Sequence, residues 1–596
     1  MSIYNAPVKD MRFVLQELAN LGEIGALPGW EDVTPELVES VLTEAGKFGR
    51  EVLDPLNRVG DTQGARLEQN KVTPPQGYAE AYRKFVDAGW NSLTGDPRYG
   101  GQGLPHVVST AVQEIWNSSN MAFCLAPMLT SGVQEALKVH GSVDQQALYL
   151  PKLTGGEWTG TMNLTEPQAG SDLSAVRTAA VPEGDHYRLR GTKIFITWGE
   201  HDMTENIVHL VLARTPDAPE GVKGISLFIV PKYLVNEDGT RGARNDVKCV
   251  SIEHKMGIHA SPTCMLVYGE SEGAVGYLVG EENRGLEYMF TMMNHARLGV
   301  GVEGVGIAER AYQHALEYAR TRVQGRELGR PTGERVPIVR HADVKRMLLT
   351  MKSLTEAMRA LAYVAAGSLD RAKRHPDRAE QRRHQALLDL LTPIVKAWCT
   401  ERCIEVASLG VQVHGGMGFI EESGAAQYYR DARITTIYEG TTGIQANDLV
   451  GRKVAFEKGA TAFAAIEEMR GVEPLLASLG QPYEATHRNL EAALDALEAA
   501  TRWLVDNFQR DPRAGAAVAV PYLELFGTVL GGWLMARAAL VAQRKLTEPE
   551  SDREFLSAKI ATARFYGEHI LPRARAHADI VVSGAASVLE FEEAAL

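Results

Sequence analysis

Strand signals occupy one stretch of this chain, and helical patterning fills the sequence on either side of it. Between about residues 160 and 281, short β-branched or alternating runs such as "HYRLRGTKIFIT", "NIVHLVLART" and "ISLFIVPKY" are separated by Gly, Pro and Asp clusters, the pattern of strands and turns. Before it, segments such as "ELVESVLTEAGKFGREVL" space their apolar residues as a helix does. From Gly285 longer helical patterns return. Such blocks cannot form a doubly wound sheet, which needs strands and helices to alternate, so the fold class is α+β and mostly α. At 596 residues the chain is too long for one core. The changes of texture divide it at 1–158, 159–281, 282–460 and 461–596.

One helix constrains the packing further. "MNHARLGVGVEGVGIAERAYQHALEYART" keeps a continuous helical pattern through Gly299, Gly301, Gly304 and Gly306. Each glycine weakens a helix by roughly 0.5–1 kcal/mol relative to alanine. Close packing must recover that, so another backbone or a ligand is expected against this helix. A second long helix carries Leu391, Ile394, Val395 and Trp398 at the spacing of one buried face, and the loop "TRVQGRELGRPTGERVP" lies between the two.

The formal net charge of −13 argues against a general nucleic-acid or anionic-membrane binder, which needs a basic face; it leaves room for one basic pocket for a phosphorylated ligand. The five cysteines, Cys124, Cys249, Cys264, Cys399 and Cys403, are scattered without a zinc-like pattern, so reduced, buried thiols and a cytoplasmic location are expected, with no metal. "MSIYNAPVKDMRFVLQEL" has no apolar core or cleavage site of a secretory signal. The most apolar stretch, Pro521 to Gln543, contains Glu524, Arg537 and two adjacent glycines, which suits a buried bundle helix better than an integral membrane segment. Residues 465–596 hold 13 Lys and Arg against 19 Asp and Glu, so this region is acidic.

No Walker loop, dinucleotide fingerprint, HExxH or GxSxG elbow occurs in its proper context. What stands out is "TMNLTEPQAGSD" (Thr161 to Asp172), which offers hydroxyls and exposed backbone but alone better suits a tight domain-boundary turn. "GTKIFIT" (Gly191 to Thr197) ends a strand with residues fit to pack on a flat ring, and "QVHGGMGF" (Gln412 to Phe419) sets three glycines where a backbone can approach a ligand. In "RITTIYEGTTGIQ" (Arg433 to Gln445) a β-branched run stops at Tyr438-Glu439-Gly440-Thr441 and leaves one carboxylate at a chain reversal. By itself Glu439 is either a solvated turn residue or an acid/base group.

Taken together, "LTEPQAGSD", "GTKIFIT", "MNHARLGVGVEGVG", "QVHGGMGF", "YRDARITTIYEGTTGIQ" and, less sharply, "DPRYGGQGLP" resemble the acyl-CoA dehydrogenase family. They stand in the family's order over roughly residues 40–450. The resemblance implies an N-terminal helical domain, a central β-barrel-like domain and a four-helix bundle with FAD between the last two. The C-terminal extension, read as an additional helical domain, resembles a larger bacterial subgroup that includes the 3-methylmercaptopropionyl-CoA dehydrogenases. By the same resemblance, flavin contacts fall on Met162, Leu164, Thr165, Phe195, Ile196 and Thr197. Ser171 matches a position touching both flavin and pantetheine. A neighbouring subunit commonly completes the FAD site, with Arg322, Gln324, Gln412 and Gly416 at the matching positions and Thr441 following the base. Arg297 and Asn294 fall near the CoA part of the ligand, and Tyr438 and Gly440 beside the acyl group. Asn294 stands where many relatives have aspartate, and Gly443 where some have glutamine.

The implied activity is α,β-dehydrogenation of an acyl-CoA to a trans-2-enoyl-CoA, with an electron-transfer flavoprotein as acceptor and a homodimer or dimer of dimers as the assembly. Glu439 matches the common base of the family. Some relatives carry the base on the glycine-rich helix, where this chain has Ala296 and offers no rival carboxylate. A thioester acidifies its α hydrogen too little for an exposed carboxylate to remove it fast; a base held near the α carbon gains from proximity, and burial with an apolar acyl chain raises a carboxylate's basicity. Competing readings are an acyl-CoA oxidase using O₂ and a non-catalytic DNA-binding flavoprotein relative. The second would want a basic C-terminal region and a disabled base.

Overall fold

The computed structural model describes residues 3–329, 332–481 and 483–596. Arg330 and Pro331, in the Gly- and Arg-rich loop, lie outside it. The chain forms two compact units. One comprises residues 48–104 and 119–299, the other 1–47, 105–118 and 300–596.

The first unit is built around an eight-stranded sheet. Its longest strand, His186–Thr197, pairs antiparallel with Thr263–Tyr268, Ala274–Leu278 and Ala179–Glu183. Ile196 lies opposite Cys264 and Thr197 opposite Thr263. Trp158–Asn163 runs parallel beside Asn206–Ala213. Asn206–Ala213 and Ser226–Pro231 are buried along their whole length, which is why they read as unbroken apolar runs rather than alternating ones. The helical segment before the sheet also contains a small hairpin, Arg66–Glu68 with Lys71–Thr73.

The second unit is helical. The glycine-bearing helix spans Gly285–Thr321, and its continuity follows the sequence pattern. Within this unit the expected backbones lie against it. A Cβ added at Gly301 would lie 2.8 Å from the Val395 carbonyl oxygen, one at Gly304 3.0 Å from that of Cys399, and one at Gly306 2.8 Å from the Ser118 amide. Glycine is therefore required by close approach on two sides, and packing returns what propensity costs. Ala342–Arg374 and Arg378–His414 pack along each other, with Leu391, Ile394, Val395 and Trp398 all buried.

The C-terminal extension joins the same unit. Ala519–Lys545 is long and apolar enough to cross a membrane by length and composition, but 83% of its most apolar window is buried. The Trp398 indole sits where a side chain on Gly527 would be, 2.3 Å from the added Cβ. A buried ionic cluster ties the unit together. Arg359, 1% exposed, donates to Asp10, Glu114 and Glu309. Lys559 donates to Asp10 and Glu356, both at 2.7 Å, and Lys352 pairs with Glu356.

Candidate active site

In the sheet unit, the stretch Thr161–Asp172 runs off the end of strand Trp158–Asn163 and doubles back at Glu166, whose backbone exchanges two hydrogen bonds with Ala169. Lys193 fixes this turn against the long strand. Its Nζ, fully buried, donates to the Leu164 carbonyl at 2.9 Å and to Glu166 Oε1 at 2.8 Å, and the Ile194 amide donates to the Thr165 carbonyl at 2.9 Å. Glu166 also accepts from the Arg177 and Thr178 amides and the Thr178 hydroxyl. Burial alone would raise its carboxyl, but the Lys193 charge and these donors hold it down to about 2. Burial in turn pushes Lys193 down to about 8, with Glu166 opposing. The sequence reading missed this pair; two ionisable residues flanking strand-forming and glycine-rich runs were the signal available.

The consequence is that Met162, Leu164 and Thr165 are held beside the end of the strand carrying Phe195, Ile196 and Thr197. Phe195 takes φ +59°, and so does not alternate as a strand residue would; its ring is 59% exposed. A large aromatic held outward by left-handed backbone, flanked by the half-buried Thr165 and Thr197, fits a flat ring system with polar edges. Ile196 is buried and Ser171 exposed. Arg297 is not a solvated helix residue: it is 4% exposed, donates to Asn294 Oδ1 at 3.3 Å and lies over the Phe290 ring.

In the helical unit, Arg322, Gln324, Gln412 and Gly416 are all exposed. The helix Arg378–His414 ends at Gly415, φ +61°, and nothing lies within 4 Å of a Cβ added at Gly415 or Gly416. This surface is open to a ligand or to a second chain. Exposed Met417 and Phe419 lie beside it in sequence.

The turn at Glu439 departs from its sequence appearance. Arg433–Thr436 forms a 3-10 turn continuing the helix Ala425–Ala432 rather than a strand; β-branching does not make a strand where no neighbouring edge is available. Glu439 has φ +54° and Gly440 +90°. The reversal is pinned by its carbonyls. Lys396 Nζ donates to the Gly440 oxygen at 2.7 Å, and Gln445 Nε2 to the Glu439 oxygen at 3.0 Å. Thr441 caps the following helix, Thr442–Asp448. Glu439 itself is half-buried. The Tyr438 hydroxyl donates to Glu303 Oε2, and Glu303 is 1% exposed. Burial first, and then the Glu439 charge, push Glu303 up to about 8. So although Ala296 offers no carboxyl, the glycine-rich helix supplies one about two turns further along. An acid inside "GVGVEGVG", where every neighbour is chosen for close packing, was the overlooked signal.

Models of the acyl-CoA dehydrogenase N-terminal, middle and C-terminal domains match residues 39–157, 161–270 and 283–454, and an acetyl-CoA dehydrogenase C-terminal-like model matches 461–592. The chain is 51% identical to the 3-methylmercaptopropionyl-CoA dehydrogenase of Ruegeria pomeroyi, over 98% of each chain. It belongs to the acyl-CoA dehydrogenase family. This acyl-CoA dehydrogenase is accordingly an FAD-dependent oxidoreductase. Among solved structures it resembles Caenorhabditis elegans ACDH-11 in complex with C11-CoA (TM-score 0.78, 21% identity, 100% of this chain and 97% of that one). It also resembles an acyl-CoA dehydrogenase complexed with FAD from Bacillus anthracis (TM-score 0.73, 23% identity, 96% and 94%). Both likenesses bear on fold and span the C-terminal extension.

Proposed function

We propose that this acyl-CoA dehydrogenase oxidises a short thioether acyl-CoA of the 3-methylmercaptopropionyl type, with Glu439 as the base. The observation that carries the substrate is the 51% identity over 98% of the chain to a relative of that name. The base assignment is supported by the left-handed, carbonyl-pinned turn that holds Glu439 next to Tyr438, whose hydroxyl donates to the buried Glu303. Glu439 would take the α proton, and the backbone amide at Glu439 would donate to the thioester oxygen as charge develops there. That charge is met by dipoles already in place, which need no reorganisation. The chemistry that bound FAD would supply there is acceptance of the β hydrogen as hydride.

Met162, Leu164, Thr165, Ser171, Phe195, Ile196 and Thr197 would hold FAD in one subunit, with Arg322, Gln324, Gln412, Gly416 and Thr441 completing the site from a second copy. The exposure of Arg322, Gln324, Gln412 and Gly416 supports that division. Ser171, Asn294, Arg297, Tyr438 and Gly440 would line the acyl-CoA. An electron-transfer flavoprotein is the proposed acceptor and a homodimer or dimer of dimers the assembly. The five buried, unbridged thiols support a cytoplasmic setting. The four segments 1–158, 159–281, 282–460 and 461–596 are proposed as its domains. The test is a kcat/KM series over 3-methylmercaptopropionyl-CoA and straight-chain acyl-CoAs with an artificial electron acceptor. Highest kcat/KM for the thioether substrate is expected; preference by more than about tenfold for a long acyl chain would overturn the substrate assignment.

A further inference from the structure

Glu303 lies on the glycine-rich helix, 1% exposed, at the point where that helix touches the backbone of Arg378–His414. Its Oε2 accepts from the Tyr438 hydroxyl, and its Oε1 has no hydrogen-bond partner among the described residues. The ionisable groups facing it are Tyr438 and Glu439 from the turn, and Lys396 and Cys403 from helix Arg378–His414. Lys396 spends a donor on the Gly440 carbonyl, so the same cation that offsets the two acids also pins the turn. An ionised carboxylate with one bare oxygen in so dry a setting is costly, whereas a neutral carboxyl is tolerated.

We propose that Glu303 is a positioning residue that works as a neutral acid: through Tyr438 it fixes the turn carrying Glu439, and by keeping its proton it leaves Glu439 with the single negative charge of the pair. The inference rests on the reading of Glu439 as the base. Its consequence has a definite sign. As pH rises through about 8, Glu303 loses its proton and a second negative charge appears beside Glu439. The charge developing on the thioester oxygen then meets a like charge, and turnover falls on the alkaline side.

The test uses the FAD-loaded full-length protein as wild type, Glu303→Gln and Glu303→Leu. Infrared difference spectra are recorded without substrate as pH is raised, and kcat and KM are measured over the same range. The wild type should lose the C=O band of a protonated carboxyl near pH 8, and kcat should fall about tenfold across the same interval. In Glu303→Gln, both the band and that alkaline limb should be absent. Glu303→Leu, which cannot accept from Tyr438, should lower kcat at every pH while leaving KM within about twofold. Persistence of the band and limb in Glu303→Gln, or identical profiles for the Gln and Leu variants, would overturn the proposal. Turnover by a Glu439→Gln variant would instead sink the base reading and leave the infrared result standing, so the two failures are separable.

Discussion

Lys559→Met probes what joins the C-terminal extension to the rest of the helical unit. Lys559 is 2% exposed and donates to Asp10 and Glu356 at 2.7 Å each. In the cluster, Asp10, Glu114, Glu309 and Glu356 face Arg359, Lys352 and Lys559. Four acids meet three bases, and burial pushes Glu114 up while the Arg359 charge pulls it back down. Methionine preserves most of the lysine's apolar stem, which keeps the cavity contribution small. The loss is then that of removing one member of a buried pair, about 3–5 kcal/mol. Urea unfolding of the FAD-loaded protein, followed by far-UV circular dichroism, should show that loss at neutral pH, and adding Asp10→Asn to Lys559→Met should restore part of it. The pH dependence has a sign as well. Burial works to raise Asp10, but the Lys559 and Arg359 charges outweigh it and hold the carboxyl well below its ordinary 3.8. Its contribution is present above that value and lost as pH falls. The variant should therefore have a shallower acid limb than the wild type. A loss under about 1 kcal/mol, or no coupling between the two substitutions, would refute the reasoning.

Other outcomes follow from the site. Glu439→Gln should fold and keep its flavin absorbance but lose turnover by at least about 10²–10⁴-fold; near-wild-type rates would end the base assignment. Gly304→Val should lower the unfolding free energy by about 1–3 kcal/mol, because its side chain would need the space of the Cys399 carbonyl, and unchanged thermal stability would contradict the helix packing. Glu166, held down to about 2 against an ordinary 4.5, contributes stability that is present above 4.5 and lost as pH falls towards 2. Melting curves of wild type and Glu166→Gln should converge as the solution is acidified, and a constant gap would count against the Lys193–Glu166 pair as an ionised contact.

The sequence made the order of blocks legible because hydrophobic period changes from helical to strand-like at both ends of the sheet. It also exposed the glycine-rich helix, whose propensity cost demanded the backbones found at Val395, Cys399 and Ser118. The chain reversal at Glu439 and Gly440 was legible from its motif. Glu303 was not, because its meaning depends on Tyr438, 135 residues away, and an acid on a helix reads as solvated until the partner backbones are placed. The Asp10–Lys559 contact spans 549 positions and has no local signature at all. Arg433–Thr436 shows the converse failure: local β-branching suggested an extended run, and the absence of a pairing edge made it a helical turn.

The backbone at Glu439 has a cost of its own. A side chain at φ +54° sits where glycine or asparagine would rest more easily, at a penalty of about 1–3 kcal/mol. Selection for stability alone would therefore replace the proposed base, and Glu439→Gly should raise the melting temperature while silencing turnover. The residue proposed as the base is one the fold holds against its own preference. Libraries screened only for thermal robustness would be drawn towards an inactive protein at this position.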